Sequence, residues 1–393
     1  MSVIEIVFWL SLSLVVFTYL GYGLVMRGLI QLQRMTKGKP RVMEPVEWPT
    51  VTFLVAAYNE EDFIVEKVQN TLDIDYPKEK VQIIFVTDGS SDQTPELVAQ
   101  FPEIQLYHQP ERQGKIAAVN RVMHHVTQEI TIYSDANAML NREVAKRIVR
   151  HYQDSQVAAV AGEKRVWVKE KDAASAAGES LYWRYESTLR KWDAEWFSVM
   201  GAAGELFSIR TAQFEAIPTD TLIEDFFLTM RMVAKGYKIA YEPEAYAMEN
   251  ASSDVQEELK RKIRISAGGL QAIWRLRRLF NPLKYPRVAF QFMGHRAIRW
   301  TLAPLSLLLL FILHPILASQ QGGFMLVLWG AHLTFYGMGL IGWLMARQNV
   351  RMKALFVPYY FLMMNYAVFM GLNRLLKGTQ TVLWERAKRK TYS

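Results

Sequence analysis

The stretch that decides the fold is Val81-Gln82-Ile83-Ile84-Phe85-Val86-Thr87-Asp88-Gly89-Ser90-Ser91-Asp92-Gln93-Thr94. An apolar, β-branched run stops at an acidic turn rich in glycine and serine, and a helix-like segment, 95–100, follows it. This order predicts a buried parallel strand that ends in a loop, which is where open α/β sheets bind their ligands. The carboxylates and hydroxyls of this loop suit a base, a ribose and a cation.

The residues on either side alternate between strand-like and helix-like segments. We predict strands at 51–57, 81–87, 104–108 and 130–134, and helices at 61–72 and 117–126. Asn59 is the predicted N-cap of the first of these helices. The alternation predicts an α/β domain with a mostly parallel, Rossmann-like sheet and helices on both faces.

Apolar segments flank this domain at 3–29, 302–318, 324–346 and 354–372. The first lacks the basic start of a secretory signal, so we predict a retained transmembrane helix. Pro358 and Asn365 interrupt the last, which we interpret as a re-entrant or interfacial element. We divide the chain into a transmembrane helix (1–30), a soluble domain (48–255), basic amphipathic interface helices (256–300), C-terminal transmembrane helices (301–376) and a basic tail (377–393).

The charge distribution points to a membrane surface. The net charge is +8, and no Asp or Glu occurs between Leu259 and Trp384. Because basic residues flank the apolar spans, an anionic membrane is a better partner than nucleic acid. Basic residues also follow the first span, which predicts a cytoplasmic central domain: Arg27, Arg34, Lys37, Lys39 and Arg41. Cysteine is absent, so disulfide and thiolate chemistry are excluded.

Four polar clusters are predicted at the carboxyl ends of strands, where they would meet at one edge of the sheet. They are 56–61, 88–92, 133–137 and 223–225. Each alone has a structural explanation. Asp88 and Asp92 suit a turn, Asn137 suits a helix cap, and Glu224 and Asp225 suit a helix N-terminus. Four together favour a functional site.

The order of these motifs resembles that of the family 2 glycosyltransferases of the GT-A fold. It is most similar to the membrane-embedded branch with cellulose, hyaluronan, chitin and poly-N-acetylglucosamine synthases. The resemblance extends from about Trp48 to the end of the chain, and it implies a GT-A domain with transmembrane and interfacial helices. The motifs are Tyr58-Asn59-Glu60, Asp88-Gly89-Ser90-Ser91-Asp92, Gly114-Lys115, Ser134-Asp135-Ala136-Asn137, Glu224-Asp225 and Arg261-Lys262-Ile263-Arg264.

The resemblance implies a nucleotide-sugar site. Asp88 takes the place of the carboxylate that reads the uracil edge or the ribose, whose imide and hydroxyl groups donate hydrogen bonds to it. Lys115 would contact the nucleotide, and Arg264 would bind the diphosphate. The whole implied set is Tyr58, Glu60, Asp88, Lys115, Ser134, Asp135 and Arg264.

The resemblance also implies a divalent cation. Asp135 resembles the first carboxylate of the D-x-D motif, which binds Mg²⁺ or Mn²⁺ and so neutralises charge on the departing nucleotide. The second acid is replaced by Asn137, whose amide oxygen can coordinate but brings no charge. We therefore expect the diphosphate to hold much of the cation. Asn137 as a helix cap is the open alternative.

Asp225 resembles the general base that takes the proton of the attacking hydroxyl in an inverting transfer. Glu224 would orient this base or hold the acceptor. The segment Gly201-Ala202-Ala203-Gly204 stands where the family has a small-residue acceptor loop, and small side chains let a sugar approach the backbone. We assign Gly201, Gly204 and Glu224 to acceptor binding.

The chain departs from the polymer synthases at their Gln-x-x-Arg-Trp motif. Arg264 is retained, but Ile265 stands where a tryptophan would stack on the acceptor sugar. Trp274 is a candidate replacement in acceptor binding, and a membrane-interface anchor is its alternative role. This departure leaves both processive synthesis and single addition open.

The sequence thus predicts an inverting glycosyltransferase that moves a sugar from a UDP-sugar, of the UDP-glucose or UDP-N-acetylglucosamine type, to a growing polysaccharide. The alternatives are a non-processive transferase acting on a lipid and a non-catalytic scaffold that binds nucleotide or polymer. A transporter is disfavoured because, apart from charged residues near the ends of the spans such as Glu5 and Arg27, the spans carry only His314 and His332 as ionisable residues, and transport usually needs more. We expect a bacterial inner membrane, a possible partner subunit for export, and no nucleic acid.

Overall fold

The computed structural model describes residues 2–38, 42–167, 173–250, 255–348 and 352–383. Within them the chain forms two compact units. The sheet unit comprises Arg34–Trp167, Arg190–Ala251 and Thr381–Ser393, and the helical unit comprises Met1–Gln33, Val168–Leu189 and Ser252–Gln380. The basic flanks Lys39 and Arg41 and the basic tail from 386 to 390 lie outside the described residues.

Four parallel strands form the first half of the sheet, in the order β3-β2-β1-β4. Phe53, Val55 and Phe85 are fully buried, which explains why these strands read as continuous apolar runs. The four strand predictions are each within one residue of the structure. The strands are β1 (Val51–Ala57), β2 (Val81–Asp88), β3 (Gln105–Gln109) and β4 (Ile130–Asp135).

The second half of the sheet is mixed. In it β7 (Leu206–Arg210) runs antiparallel to β4 and to β6 (Val157–Trp167). Next to β6 lies β8 (Lys238–Asn250), parallel to it, and β5 (Met139–Leu140) closes the edge antiparallel to β8. The expected parallel sheet is therefore confined to the neighbourhood of β1 and to the β6–β8 pair.

The chain reverses its winding direction beside β1. From β1 it proceeds to β2 and β3 on one side, and it then returns to place β4 on the other. Ala56 pairs with both Val86 and Asp135, so the carboxyl ends of the three strands are level. Such a switch point opens a crevice at the strand ends, and open α/β sheets bind ligands there.

Helices precede the first strand and alternate with the strands of the sheet. The first helix after β1 starts later than predicted, at Ile64, and Phe63 rather than Asn59 is its N-cap. Asn59 has a φ of 53° and its side chain bonds Ser91 instead. The helices are α1 (Val3–Val16), α2 (Tyr22–Lys37), α3 (Ile64–Leu72), α4 (Thr94–Val98), α5 (Lys115–Val122), α6 (Val144–Val149), α7 (Ala173–Trp196) and α8 (Glu224–Ala234).

The remaining helices belong to the helical unit. Residues 268–275 form the end of one long helix rather than a separate short one, and the ring of Trp300 packs on Gly269. The helices are α9 (Val255–Arg275), α10 (Pro286–Gln291), α11 (Ile298–Trp300), α12 (Leu302–Gln321), α13 (Gly323–Arg347) and α14 (Lys353–Leu376).

Four helical segments of the described chain are long and apolar enough to cross a membrane, which makes this a membrane protein. They are Val3–Lys37, Leu302–Gln321, Gly323–Arg347 and Ala354–Leu376. The last is continuous through Pro358 and Asn365, so these residues do not interrupt the helix as the sequence suggested.

A buried ion cluster fixes α7 within the helical unit. Glu186 is 2% exposed and accepts hydrogen bonds from Arg296 at 2.7 Å and Arg299 at 2.9 Å, with His295 at 3.2 Å. Burial alone would raise the pKa of Glu186, but these cations hold it well below its ordinary range. Loss of one of these partners would leave the buried carboxylate with less compensation for its burial, which is destabilising.

Candidate active site

The loops that follow β1 and β2 are tied together. The backbone N–H of Ser91 donates to Asn59 Oδ1 at 2.8 Å, and Asn59 Nδ2 donates to Ser91 Oγ at 3.2 Å. The backbone N–H of Glu61 donates to Asp92 Oδ2 at 3.1 Å. Asp92 therefore acts as a loop former, and the two loops present one continuous surface at the strand ends.

Asp88, at the end of β2, binds the backbone of the segment that precedes α5. It is 4% exposed, and its Oδ2 accepts the backbone N–H groups of Gln113 at 2.9 Å and Gly114 at 2.5 Å. Its Oδ1 lies 3.5 Å from Arg121 and has no hydrogen-bond partner among the described residues. One oxygen of this carboxylate thus shapes the loop, and the other faces the Arg121 guanidinium.

Tyr58 and Glu60 border the same crevice. The Arg112 guanidinium lies 3.7 Å from the centre of the Tyr58 ring, a cation–π contact. The backbone N–H of Glu60 donates to Thr94 Oγ1 at 2.9 Å. The structure therefore brings Tyr58 and Glu60 to the loops that carry Asp88, and Arg112 is a neighbour that the sequence did not single out.

Lys115 joins two of the acidic clusters. It begins α5 after Gly114, and its ammonium lies 2.7 Å from Asp135 Oδ1 and 2.8 Å from Glu224 Oε1. Burial lowers the pKa of Lys115, but the two carboxylates more than offset this and raise it above its usual value. The end of β4 and the start of α8 are thereby bridged by one fixed cation.

Asp225 lies in the first turn of α8, beside this bridge. Burial and the neighbouring charge of Glu224 raise the pKa of Asp225 to about 7, against an opposing effect of Lys115. No strand precedes this cluster, because β7 ends at Arg210 and α8 begins at Glu224. The prediction that all four clusters follow strands is therefore wrong for this one, which reaches the site through a helix N-terminus.

Gly204 marks the point where the catalytic candidates converge. A methyl group built there would lie 3.4 Å from Asp225 Oδ2, 3.5 Å from Lys115 Nζ and 3.8 Å from Asp135 Oδ2. Gly201 differs, because its φ is 88° and the ring of Phe226 fills the place of a side chain. Gly204 borders the Asp225, Lys115 and Asp135 side chains, whereas the small size of Gly201 serves packing against α8. The acceptor roles of both stay predictions.

Asp135 sits among further acids. Burial raises the pKa of Asp135, Lys115 lowers it, and the charges of Glu205 and Glu249 raise it further. Lys164 is ion-paired with Glu205 and lies 2.5 Å from Glu249. Sequence reasoning missed Glu205, although its position next to Gly204 could have indicated it.

Asn137 follows Asp135 in a turn closed by a hydrogen bond from the Ala138 N–H to the Asp135 carbonyl, 3.2 Å long. The segment after Asn137 is the short strand β5, and the next helix, α6, has Glu143 as its N-cap. The interpretation of Asn137 as a helix cap is therefore wrong. Its role in metal binding stays a prediction.

A second missed residue is Lys67. It is fully buried, and its Nζ donates to Ser134 Oγ at 2.7 Å and to the Ala138 carbonyl at 2.5 Å. Burial lowers the pKa of Lys67 to about 7, opposed by the charges of Asp135 and Glu249. Its signal in the sequence is a lysine in the core-facing helical stripe 64, 67, 68 and 71.

Arg264 and Trp274 belong to α9 in the helical unit. Trp274 is 70% exposed, with the Arg277 guanidinium 5.0 Å from the centre of its ring. Their roles with the diphosphate and the acceptor remain predictions.

Comparison with known proteins identifies this unit. Residues 52–217 match the sequence profile described as Glycosyl transferase family 2. Over these residues the chain carries a family 2 glycosyltransferase domain. The match contains the Asp88, Lys115, Asp135 and Gly204 regions, and it ends before Glu224 and Asp225. The family resemblance read from the sequence is thereby confirmed.

Two relatives are similar to this chain over more than half of its length. The poly-β-1,6-N-acetyl-D-glucosamine synthase of Staphylococcus aureus is 26% identical over 248 residues, which cover 60% of this chain and 58% of that protein. The probable glycosyltransferase YdaM of Bacillus subtilis is 26% identical over 304 residues, covering 72% of this chain and 70% of that protein. The chain thus aligns with only 58% of the length of the synthase.

A solved structure has the same fold. The mannosyltransferase PcManGT from Pyrobaculum calidifontis, solved in complex with GDP-Man and Mn²⁺, superposes with a TM-score of 0.72 at 21% sequence identity. The similarity covers 95% of this chain and all of that one. The predicted GT-A fold with additional helices is confirmed.

Proposed function

We propose that this protein is an inverting glycosyltransferase of the membrane that moves a sugar from a UDP-sugar to a growing polysaccharide. The observation that carries the proposal is the convergence of Asp225, Lys115 and Asp135 on Gly204. This cluster lies at the switch point of the sheet, and the domain that contains the sheet matches a family of sugar transferases. The polysaccharide product is supported by the similarity to the staphylococcal synthase.

Asp225 is the proposed general base. The acceptor hydroxyl attacks the anomeric carbon from the face opposite the diphosphate, and Asp225 takes its proton. The bond from that carbon to the diphosphate oxygen breaks, and its electron pair leaves with UDP. A base with a pKa of about 7 suits this task, because it is substantially ionised at neutral pH and still accepts a proton readily.

The nucleotide end of the donor is assigned to Asp88. Its buried Oδ1, without a hydrogen-bond partner among the described residues, would accept from the uracil imide or from a ribose hydroxyl. Tyr58 and Glu60 lie on the neighbouring loop. Lys115 follows Gly114, whose N–H contacts Asp88, and its ammonium lies with Asp225 at Gly204. The order of these groups matches the order base, diphosphate and sugar in the donor.

A divalent cation fits this site when the diphosphate shares in binding it. Among the described residues, no three His, Cys, Asp or Glu side chains are grouped to hold a metal ion. Asp135 and Asn137 offer hard oxygen donors. Burial, together with the charges of Glu205 and Glu249, raises the pKa of Asp135 against the opposing effect of Lys115. Bound there, Mg²⁺ or Mn²⁺ would neutralise charge on the departing diphosphate.

A non-processive transferase acting on a lipid is the second candidate. Ile265 favours it, because an isoleucine offers no aromatic face for stacking on a sugar chain. In both cases the basic residues after the first span, such as Arg27 and Arg34, favour a catalytic domain on the cytoplasmic side. A bacterial inner membrane and a partner subunit for export belong to the same proposal.

The test uses purified full-length protein in nanodiscs with a panel of UDP-sugars, and with GDP-mannose as a comparison. We expect transfer from one UDP-sugar, with products separated by length on a gel and by mass spectrometry. A ladder of long products supports polymer synthesis, and a single glycolipid supports the second candidate. Absence of product with every UDP-sugar, or use of GDP-mannose instead, would contradict the proposal.

A further inference from the structure

Lys67 bridges the two ends of the turn that carries Asp135 and Asn137. Its ammonium donates to Ser134 Oγ, just before the turn, and to the carbonyl of Ala138, just after it. The lysine comes from α3, which lies far from this turn in sequence. One buried side chain therefore spans the turn from the interior of the domain.

Asn70 also binds the segment that follows this turn, through Leu140. It lies three residues after Lys67 on the same face of α3. Its Nδ2 donates to the Leu140 carbonyl at 2.8 Å, and its Oδ1 accepts the Leu140 N–H at 2.8 Å. The two residues thus hold segment 134–140 at three points, but only Lys67 contacts both sides of the turn.

Packing alone does not explain a lysine at this position. The residues that share its face of α3, Ile64, Val68 and Thr71, are all buried. Burial of an amine is costly unless hydrogen bonds compensate it. Within the described residues, both hydrogen-bond acceptors of Lys67 lie at the turn that carries Asp135 and Asn137, so the compensation is concentrated there.

We infer that Lys67 is a positioning residue for a divalent cation at the Asp135–Asn137 turn. The inference rests on the proposed function. Because Asn137 supplies an amide in place of a second carboxylate, charge contributes less to cation binding and fixed geometry contributes more. Mutation of a residue that holds metal ligands in place, without contacting the metal itself, typically lowers metal affinity 10- to 100-fold.

The experiment measures Mn²⁺ binding to purified full-length protein with saturating UDP, by electron paramagnetic resonance of free Mn²⁺. Lys67→Met keeps the length of the side chain and removes its donors, so we expect the Kd for Mn²⁺ to rise about 10- to 100-fold. Asn70→Ala is the matched control on the same helix face, and we expect its Kd to stay within about twofold of the wild type. UDP binding without metal should be equal in all three proteins.

The outcomes separate this inference from the proposed function. Unchanged Mn²⁺ affinity in Lys67→Met, or an equal loss in Asn70→Ala, would overturn the positioning role alone. Absence of Mn²⁺ binding in the wild type would overturn the metal site and the inference together. Should Lys67→Met not fold, Ser134→Ala removes one acceptor of the same bridge, and it should also weaken Mn²⁺ binding. Wild-type affinity in that variant would then refute the inference.

Discussion

At the scale of single residues, the environment of Asp225 decides what its carboxyl group can do. The aspartate begins a helix, yet burial and Glu224 raise its pKa to about 7. Lys115 limits the effect because it lies between Glu224 and Asp135. The same residues that crowd negative charge at Gly204 therefore also adjust the proton affinity of the proposed base.

The pKa of Asp225 predicts the acid limb of the pH–rate profile. A base acts only when it is ionised, so kcat/KM should fall tenfold per pH unit below an inflection near 7. Glu224→Gln removes a like charge, which should move the inflection to lower pH. Transfer rates from pH 5 to 9 test this, and a profile that is flat down to pH 5 would contradict the assignment.

Sequence reasoning identified most polar residues of the site but not how they are supported. Asp88, Lys115, Asp135 and Asp225 stand in recognisable motifs, and the structure brings the last three together at Gly204. The support from Lys67 was missed, because a hydrogen bond between residues 67 positions apart depends on how α3 packs.

At the scale of elements, α14 is the most buried of the four apolar segments described. Half of its most apolar stretch is buried in protein, against 39% for α12 and 11% for α13. Its Gly371 packs on the backbone of α9 at Ala267 and Ile263, and its Tyr360 hydroxyl lies 3.4 Å from Glu258. A helix that packs so closely on the amphipathic α9 is a poor candidate for a fully lipid-exposed span.

The path of the chain supports an interfacial α14. The chain leaves the sheet unit after Ala251 and rejoins it at Thr381, and Leu383 contacts the position of Gly114 at 3.4 Å. Because both points belong to the same unit, the chain must cross the membrane an even number of times between Ala251 and Thr381. The Gly322–Gly323 connection makes α12 and α13 a tight hairpin, which accounts for two. We therefore expect α14 not to cross completely.

Cysteine labelling tests this topology. Because the chain has no cysteine of its own, only an introduced cysteine can be labelled in this protein. In intact cells, a membrane-impermeant maleimide should label Gln320→Cys, near the α12–α13 connection. It should label Thr381→Cys, like Glu103→Cys in the sheet unit, only after permeabilisation. Labelling of Thr381→Cys in intact cells would show that α14 crosses.

The element predictions succeeded where the apolar pattern was continuous and failed where tertiary contacts intervened. The buried strands were predicted to within one residue, because parallel strands covered on both faces read as unbroken apolar runs. The start of α3 was wrong because Asn59 bonds across to Ser91. Pro358 and Asn365 suggested a break, but α14 continues through both.

At the scale of the whole molecule, the chain combines a family 2 glycosyltransferase domain with helices that are long and apolar enough to cross a membrane. The motifs in the sequence predicted this combination, since the acidic clusters and apolar spans are separate signals that need no tertiary contact to be read. The mixed second half of the sheet was not predicted, because strand direction there depends on pairing between distant segments such as β4 and β7.

The central claim is that Asp225 accepts the acceptor proton in a sugar transfer. The most direct test compares initial rates of transfer from the preferred UDP-sugar by purified wild-type protein and Asp225→Asn, with UDP affinity measured on both. The account predicts a loss of about 10²- to 10⁴-fold in rate with unchanged UDP affinity, because only the base is removed. Transfer by Asp225→Asn within a few-fold of the wild-type rate would contradict it.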